Sequence, residues 1–121
     1  MFSCSGSIYL NSGNRGFQLL ATTIEDSTSY IGGGLFVHDS NERGVISDST
    51  FINCSATYYG GGIAIDTNNN LWQINNTVIQ KCHTMSYSGG IDINDNNDFF
   101  KISHSTIANC SAVQFMVEAF M

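Results

Sequence analysis

Three cysteines stand at an identical step of 28 residues: Cys54, Cys82 and Cys110. A thiol can ligate a soft metal, close a disulfide or act as a nucleophile. Zinc sites draw on CxxC pairs, and the sequence contains none, so a zinc site has little support. Residues on neighbouring strands lie about 4.8 Å apart, which is near enough for a disulfide, but side chains stacked in parallel rarely aim at one another. The simpler reading is a ladder of small buried side chains. Cys4 falls outside the ladder.

The carboxylates present a similar choice. Asp39, Glu42, Asp66, Asp95 and Asp98 fall in Asn-rich segments, and carboxylates stacked about 5 Å apart could share a hard cation such as Ca²⁺. Their spacing matches neither an EF-hand nor a nonapeptide calcium repeat, so solvated polar turns are the preferred reading. Polysaccharide cleavage would need a carboxylate pair at the right separation, or carboxylate-bound Ca²⁺ with a base beside it. The available bases are Arg15, Arg43, Lys81 and Lys101. Asp92 stands in mid-strand between Ile91 and Ile93 and is expected to face outward, with Ala64 and Phe36 as its column neighbours and no partner for a dyad.

His38, His83 and His104 fall in three different columns, which argues against a shared metal or a triad. No GxSxG elbow occurs, so a serine nucleophile is unsupported. No catalytic, cofactor-binding or metal-ligating residue is therefore assigned, and no cofactor is expected. Among the aromatic residues, Trp72 and Phe100 form one column and Tyr59 and Tyr87 another. Trp72 lies two residues from Ile74, and Phe100 two from Ile102, so strand alternation turns both inward. Tyr59 and Tyr87 are the better surface candidates, where rings could stack on sugars. Asn53, Asn75 and Asn109 begin sequons, which chance explains in a chain so rich in Asn, Ser and Thr.

What would position these groups is a repeat. Gly32-Gly33-Gly34-Leu35, Gly60-Gly61-Gly62-Ile63 and Ser88-Gly89-Gly90-Ile91 recur every 28 residues. After a one-residue deletion, Ile8, Leu35, Ile63 and Ile91 form a column. The next is Leu10, Val37, Ile65 and Ile93. Two more are Leu19, Ile46, Ile74 and Ile102, and Ile24, Phe51, Ile79 and Ile107, the latter followed by Ser27 and the three cysteines. Apolar pairs at i and i+2 mark strands, and no helical stripe occurs over residues 1 to 111. One 28-residue unit cannot bury its apolar side, but stacked units can. The expected fold is all-β: a right-handed parallel β-helix, or solenoid, of about four 27–28-residue coils. Residues 38–42, 66–70 and 94–98 then read as stacked turns, and the glycines as bends between strands.

These motifs resemble the polymorphic outer membrane protein repeat, which pairs a GGA[ILV] element with an FxxN element. Gly60-Gly61-Gly62-Ile63 matches the first, and Phe51-Ile52-Asn53-Cys54 the second. Ile79-Gln80-Lys81-Cys82 and Ile107-Ala108-Asn109-Cys110 follow the second with Ile in place of Phe, and in all three copies Cys stands where the family usually has Asn. The resemblance covers roughly residues 5 to 112. It implies a β-helical stalk on a cell surface, used in adhesion, within a pectate-lyase-like superfamily that also holds polysaccharide-cleaving enzymes. Fold alone does not choose between these.

Four Lys plus Arg against ten Asp plus Glu give a net charge of −6, which repels phosphate backbones and makes nucleic acid an unlikely partner. No apolar run reaches membrane-spanning length, and residues 1–6 lack the basic and apolar regions of a signal peptide. Residues 1–121 read as one β-helix domain cut from a longer solenoid, with further coils of a parent protein as neighbours. Val113, Met116, Val117 and Phe120 have helical spacing, so residues 112–121 are either a C-terminal cap or a truncated end. The leading functional expectation is a non-enzymatic surface or secreted repeat segment, a stalk or adhesin-like module whose partners are cell-surface glycans or proteins. The alternative is a fragment of a carbohydrate-active enzyme.

Overall fold

The computed structural model describes residues 8–112, all of whose regular elements are strands. Cys4 and the proposed cap at residues 113–121 lie outside the described residues. Each coil contributes one short strand to each of four parallel sheets. The first sheet contains β1 (Ile8–Leu10), β5 (Leu35–Val37), β9 (Ile63–Ile65) and β13 (Ile91–Ile93). The second holds β2 (Gln18–Leu20), β6 (Val45–Ser47), β10 (Gln73–Asn75) and β14 (Lys101–Ser103). The third is β3 (Thr23–Glu25), β7 (Thr50–Ile52), β11 (Val78–Gln80) and β15 (Thr106–Ala108). β4 (Thr28–Ile31), β8 (Ser55–Tyr59), β12 (His83–Thr84) and β16 (Ser111–Ala112) make the fourth.

The register reproduces the columns read from the sequence. Ile8 pairs with Leu35, Leu35 with Ile63, and Ile63 with Ile91. Leu19, Ile46, Ile74 and Ile102 stack in the second sheet, and Ile24, Phe51, Ile79 and Ile107 in the third. In the first three coils their side chains fill one continuous core with Cys54, Cys82 and Trp72. Burying each large aliphatic side chain contributes about 1.5–3 kcal/mol, which offsets the ordering of strands only three residues long. The columns are sealed in the second and third coils. In the fourth, Ile93, Ile102 and Ile107 are 38–51% exposed.

Corners are made by single residues in the left-handed conformation, repeated coil after coil. Ala21, Asp48, Asn76 and His104 turn the chain between the second and third sheets, and Asp26, Asn53, Lys81 and Asn109 between the third and fourth, all with φ of 48–56°. Such a conformation costs roughly 1–2 kcal/mol for an L-residue. At the corners on the first three coils it is offset by a backbone bond to the next coil, as from Asn53 N–H to the Gln80 carbonyl at 3.1 Å.

The two sequence motifs turn out to be the two sides of one contact. A Cβ on Gly34 would meet Phe51 Cδ2 at 2.6 Å, one on Gly62 would meet Ile79 Cγ2 at 2.9 Å, and one on Gly90 would meet Ile107 Cγ2 at 2.7 Å. The glycine element leaves the space that the large residue of the other element occupies. Gly61 answers a different need: its Cβ would lie 2.1 Å from the Gly89 carbonyl oxygen, so successive coils could not approach. Trp72 uses a third glycine, leaning over Gly44 to stack on Phe17 and donating its indole N–H to the Asn41 carbonyl at 2.5 Å. Phe100 also packs against the core, so both residues of this column point inward as expected.

The single-residue deletion has a definite place. Ser29 pairs with Ala56 but Ile31 pairs with Tyr59, so β8 bulges by one residue against β4. The extra residue twists the bulged strand and re-aims its side chains.

Candidate functional site: an aromatic cleft on the first sheet

The cysteine column is a packing device. Cys54 and Cys82 are buried, Cys110 is half-buried, and all three thiols are free. Each makes the same two sulfur contacts: one to the carbonyl two residues earlier and one to a carbonyl of the preceding coil, at 3.4–3.8 Å. The hydrogen bond between Cys54 and Cys82 pushes the Cys82 thiol up, reinforced by burial, and draws the Cys54 thiol down to about 7.

The turns at 38–42, 66–70 and 94–98 stack, but they are not simply solvated. Asn41 and Asn69 are fully buried. The Asn41 side chain accepts from Asn14 N–H at 2.8 Å, Asn69 from Asn41 N–H at 2.8 Å, and Asn97 from Asn69 N–H at 2.7 Å. Their amide groups donate in turn to turn carbonyls, including Asn69 to His38 and Asn97 to Asp66. This ladder satisfies backbone groups that strands cannot reach at a corner, and each amide can do so because it carries both donors and acceptors. A solvated turn and a buried ladder draw on the same residue type, so the asparagines do not announce which of them are sealed from water.

The acids do not stack on each other. Thr67 separates Asp39 from Asp95, and Asn70 separates Glu42 from Asp98, while Asp66 lies between His38 and Asn94. Ser12 donates to Asp39, and Asn94 donates to Asp66 at 3.2 Å. Among the described residues, no group of three or more His, Cys, Asp or Glu side chains is arranged to hold a metal ion. Arg15 is engaged by Glu42 at 3.7 Å. The histidines are dispersed: His38 follows β5, His83 opens β12 and His104 is a left-handed corner. His38 Nδ1 sits 3.5 Å from an Asp66 carboxylate oxygen and 3.7 Å from one of Asp39.

What the fold does assemble lies on the outer face of the first sheet. Tyr9, Phe36, Ala64 and Asp92 form its outward column. Over Phe36 and Ala64, a second apolar cluster closes with Ile31, flanked by Tyr30 and Tyr59. At Asp92 that cover ends. There Tyr58, Tyr59, Tyr87, Asp92 and Asn94 line an open cleft of about 240 Å³. Tyr59 and Tyr87 are bridged strand neighbours, as their column required. Tyr58, at the bulge, stacks on Tyr30 with centroids 5.6 Å apart and meets Tyr87 edge-on at 6.1 Å. Tyr58 and Tyr87 are 44% and 41% exposed, so their rings remain accessible. Asp92 Oδ1 accepts from the Ser88 hydroxyl at 2.7 Å.

Sequence reasoning reached Tyr59, Tyr87 and the outward direction of Asp92, but missed Tyr58, Asn94 and their convergence. A signal was present. Two departures from the repeat meet at this place: Ser88 where other coils carry Gly32 and Gly60, and Asp92 where others carry Phe36 and Ala64.

The fold and cleft together define a parallel β-helical repeat protein with a ring-lined outer recess. No protein family, curated protein or solved structure matches this chain.

Proposed function

We propose that this chain is a non-enzymatic β-helical repeat module, a structural stalk that also presents a recognition face, displayed on a cell surface or secreted. The observation that carries the reading is the aromatic cleft on an otherwise uniform stack. Four inward ladders repeat their residues through the coils, whereas the outward column of the first sheet changes character from Tyr9 through Phe36 and Ala64 to Asp92. A scaffold whose inside is constant and whose outside varies suits display of a binding surface. The paired glycine and FxxN-like elements, in contact across the core, support kinship with the polymorphic outer membrane protein repeat and its adhesive role. Cell-surface glycans or proteins are the partners this role implies.

The reading is tested by far-UV circular dichroism through a thermal melt, with binding to arrayed surface glycans and a reducing-sugar assay on the same sample. A cooperative β-type melt with binding and no sugar release is expected. Release of reducing ends would overturn the non-enzymatic reading in favour of a carbohydrate-active enzyme.

A further inference from the structure

The ligand class of the cleft follows from its chemistry, and this step rests on the recognition reading above. We infer that the recess at Tyr58, Tyr87, Asp92 and Asn94 binds one neutral pyranose ring, such as the terminal residue of a glycan, and discriminates against uronic acids.

Size is the first reason. At about 240 Å³ the recess is smaller than the roughly 300–1,000 Å³ typical of drug-sized ligand sites, and it is open to solvent, which suits one sugar ring with its chain continuing outward. The walls are the second. Tyr58 and Tyr87 meet edge-on, so their ring planes differ in direction, and each leaves accessible ring surface at the recess. The C–H face of a pyranose packs against such a ring as another apolar body would, while its hydroxyls stay in the plane for hydrogen bonding.

Asp92 supplies the third reason. Ser88 holds Oδ1, which fixes the carboxylate and leaves Oδ2 to accept from a ligand hydroxyl. Hydrogen bonds to a charged acceptor are shorter and stronger than neutral ones. Asn94, whose side chain is oriented by Asp66 and by the Asp95 N–H, adds an amide with spare donor and acceptor capacity beside it. Charge is the fourth. Asp92 and Asp66 stand at or beside the recess on a chain of net charge −6, so a uronate carboxylate would be repelled.

Ser88 and Asp92 also explain each other. Ser88, at φ 56°, keeps the left-handed conformation that Gly32 (63°) and Gly60 (69°) adopt at its column position, a strain that glycine would avoid. Its hydroxyl is what a glycine could not provide to the carboxylate four residues on. Ser88 is thus a positioning residue for Asp92.

The test is saturation-transfer NMR on the full chain with methyl glucoside, methyl galactoside, methyl N-acetylglucosaminide and digalacturonate as probes, each sample first checked by circular dichroism. At least one neutral glycoside is expected to bind through its ring protons, and digalacturonate to show no transfer. Tyr87→Ala should abolish the transfer. Asp92→Asn should weaken binding by roughly tenfold, and Ser88→Gly by a smaller factor, with unchanged melting curves. Preference for digalacturonate would overturn the ligand class and leave the recognition reading standing. A folded chain that binds none of the four, or binds equally after Tyr87→Ala, would overturn the proposed site, while the cooperative melt would still support the stalk.

Discussion

Two columns in the same four strands, one residue apart, obey opposite rules. The inward one reads Leu10, Val37, Ile65 and Ile93, and the outward one reads Tyr9, Phe36, Ala64 and Asp92. Inside, each side chain must fill the space between its neighbours above and below, so only aliphatic residues of similar bulk recur. Outside, a side chain answers to the cover laid over it, and that cover differs from coil to coil. A β-helix can therefore change its surface chemistry one coil at a time without disturbing the stack.

The sharpest way to break this comparison is to exchange its terms. Ile65→Asp buries an uncompensated carboxylate in the sealed third coil and is expected to abolish the cooperative thermal transition, at a cost above about 4 kcal/mol. Asp92→Ala, one coil on and facing out, should leave stability within about 0.5 kcal/mol of wild type in the same thermal melt. Equal effects at the two sites would sink the distinction.

The buried corner ladder should rank between them. Asn69→Ala removes the acceptor for Asn41 N–H and the donors to His38 and Thr67, and is expected to lower stability by about 1–3 kcal/mol in urea denaturation. A neutral result would mean that the turns are solvated after all.

A smaller, coupled effect should link the two motifs. Gly90→Ala overpacks Ile107 and costs roughly 1–3 kcal/mol in the wild-type background. In an Ile107→Ala background the penalty should shrink, giving a coupling of about 1 kcal/mol in a double-mutant cycle. Strict additivity would show that the elements are independent.

The least effect concerns pH. The Ser12 hydroxyl, with help from His38, holds the Asp39 carboxyl below its ordinary 3.8. Its stabilisation is present above the unfolded value and is lost as pH falls through the folded one. Asp39→Asn should therefore flatten the decline in melting temperature between about pH 4 and pH 2, and an unchanged acid limb would remove this carboxylate from the account.

Much of the fold was legible because the strand spacing imposes a visible arithmetic. When coils stack in parallel, every inward position must repeat at the coil length, so Ile46 and Ile74, or Cys54 and Cys82, announce their own contact. The deletion was legible as a count but not as a place, since any position between Ser27 and Gly32 would have balanced the alignment, and the structure puts it between Ser29 and Ile31. The burial of Asn41 and Asn69 was hidden because asparagine serves an exposed turn and an internal ladder equally well. Leu71 and Phe99, both left-handed in the structure, belong to residue types that rarely turn corners, so nothing in their identity marked them.

The sequence by itself thus determined the period, the strands, the inward ladders and the alternation of the glycine and FxxN-like elements, because all of these are one-dimensional regularities. Only the tertiary structure decided where the bulge falls, which asparagines are sealed from water, and that Tyr58, Tyr87 and Asp92 share a recess. These depend on side chains from different sheets meeting across a corner, and no fixed spacing along the chain encodes such a meeting.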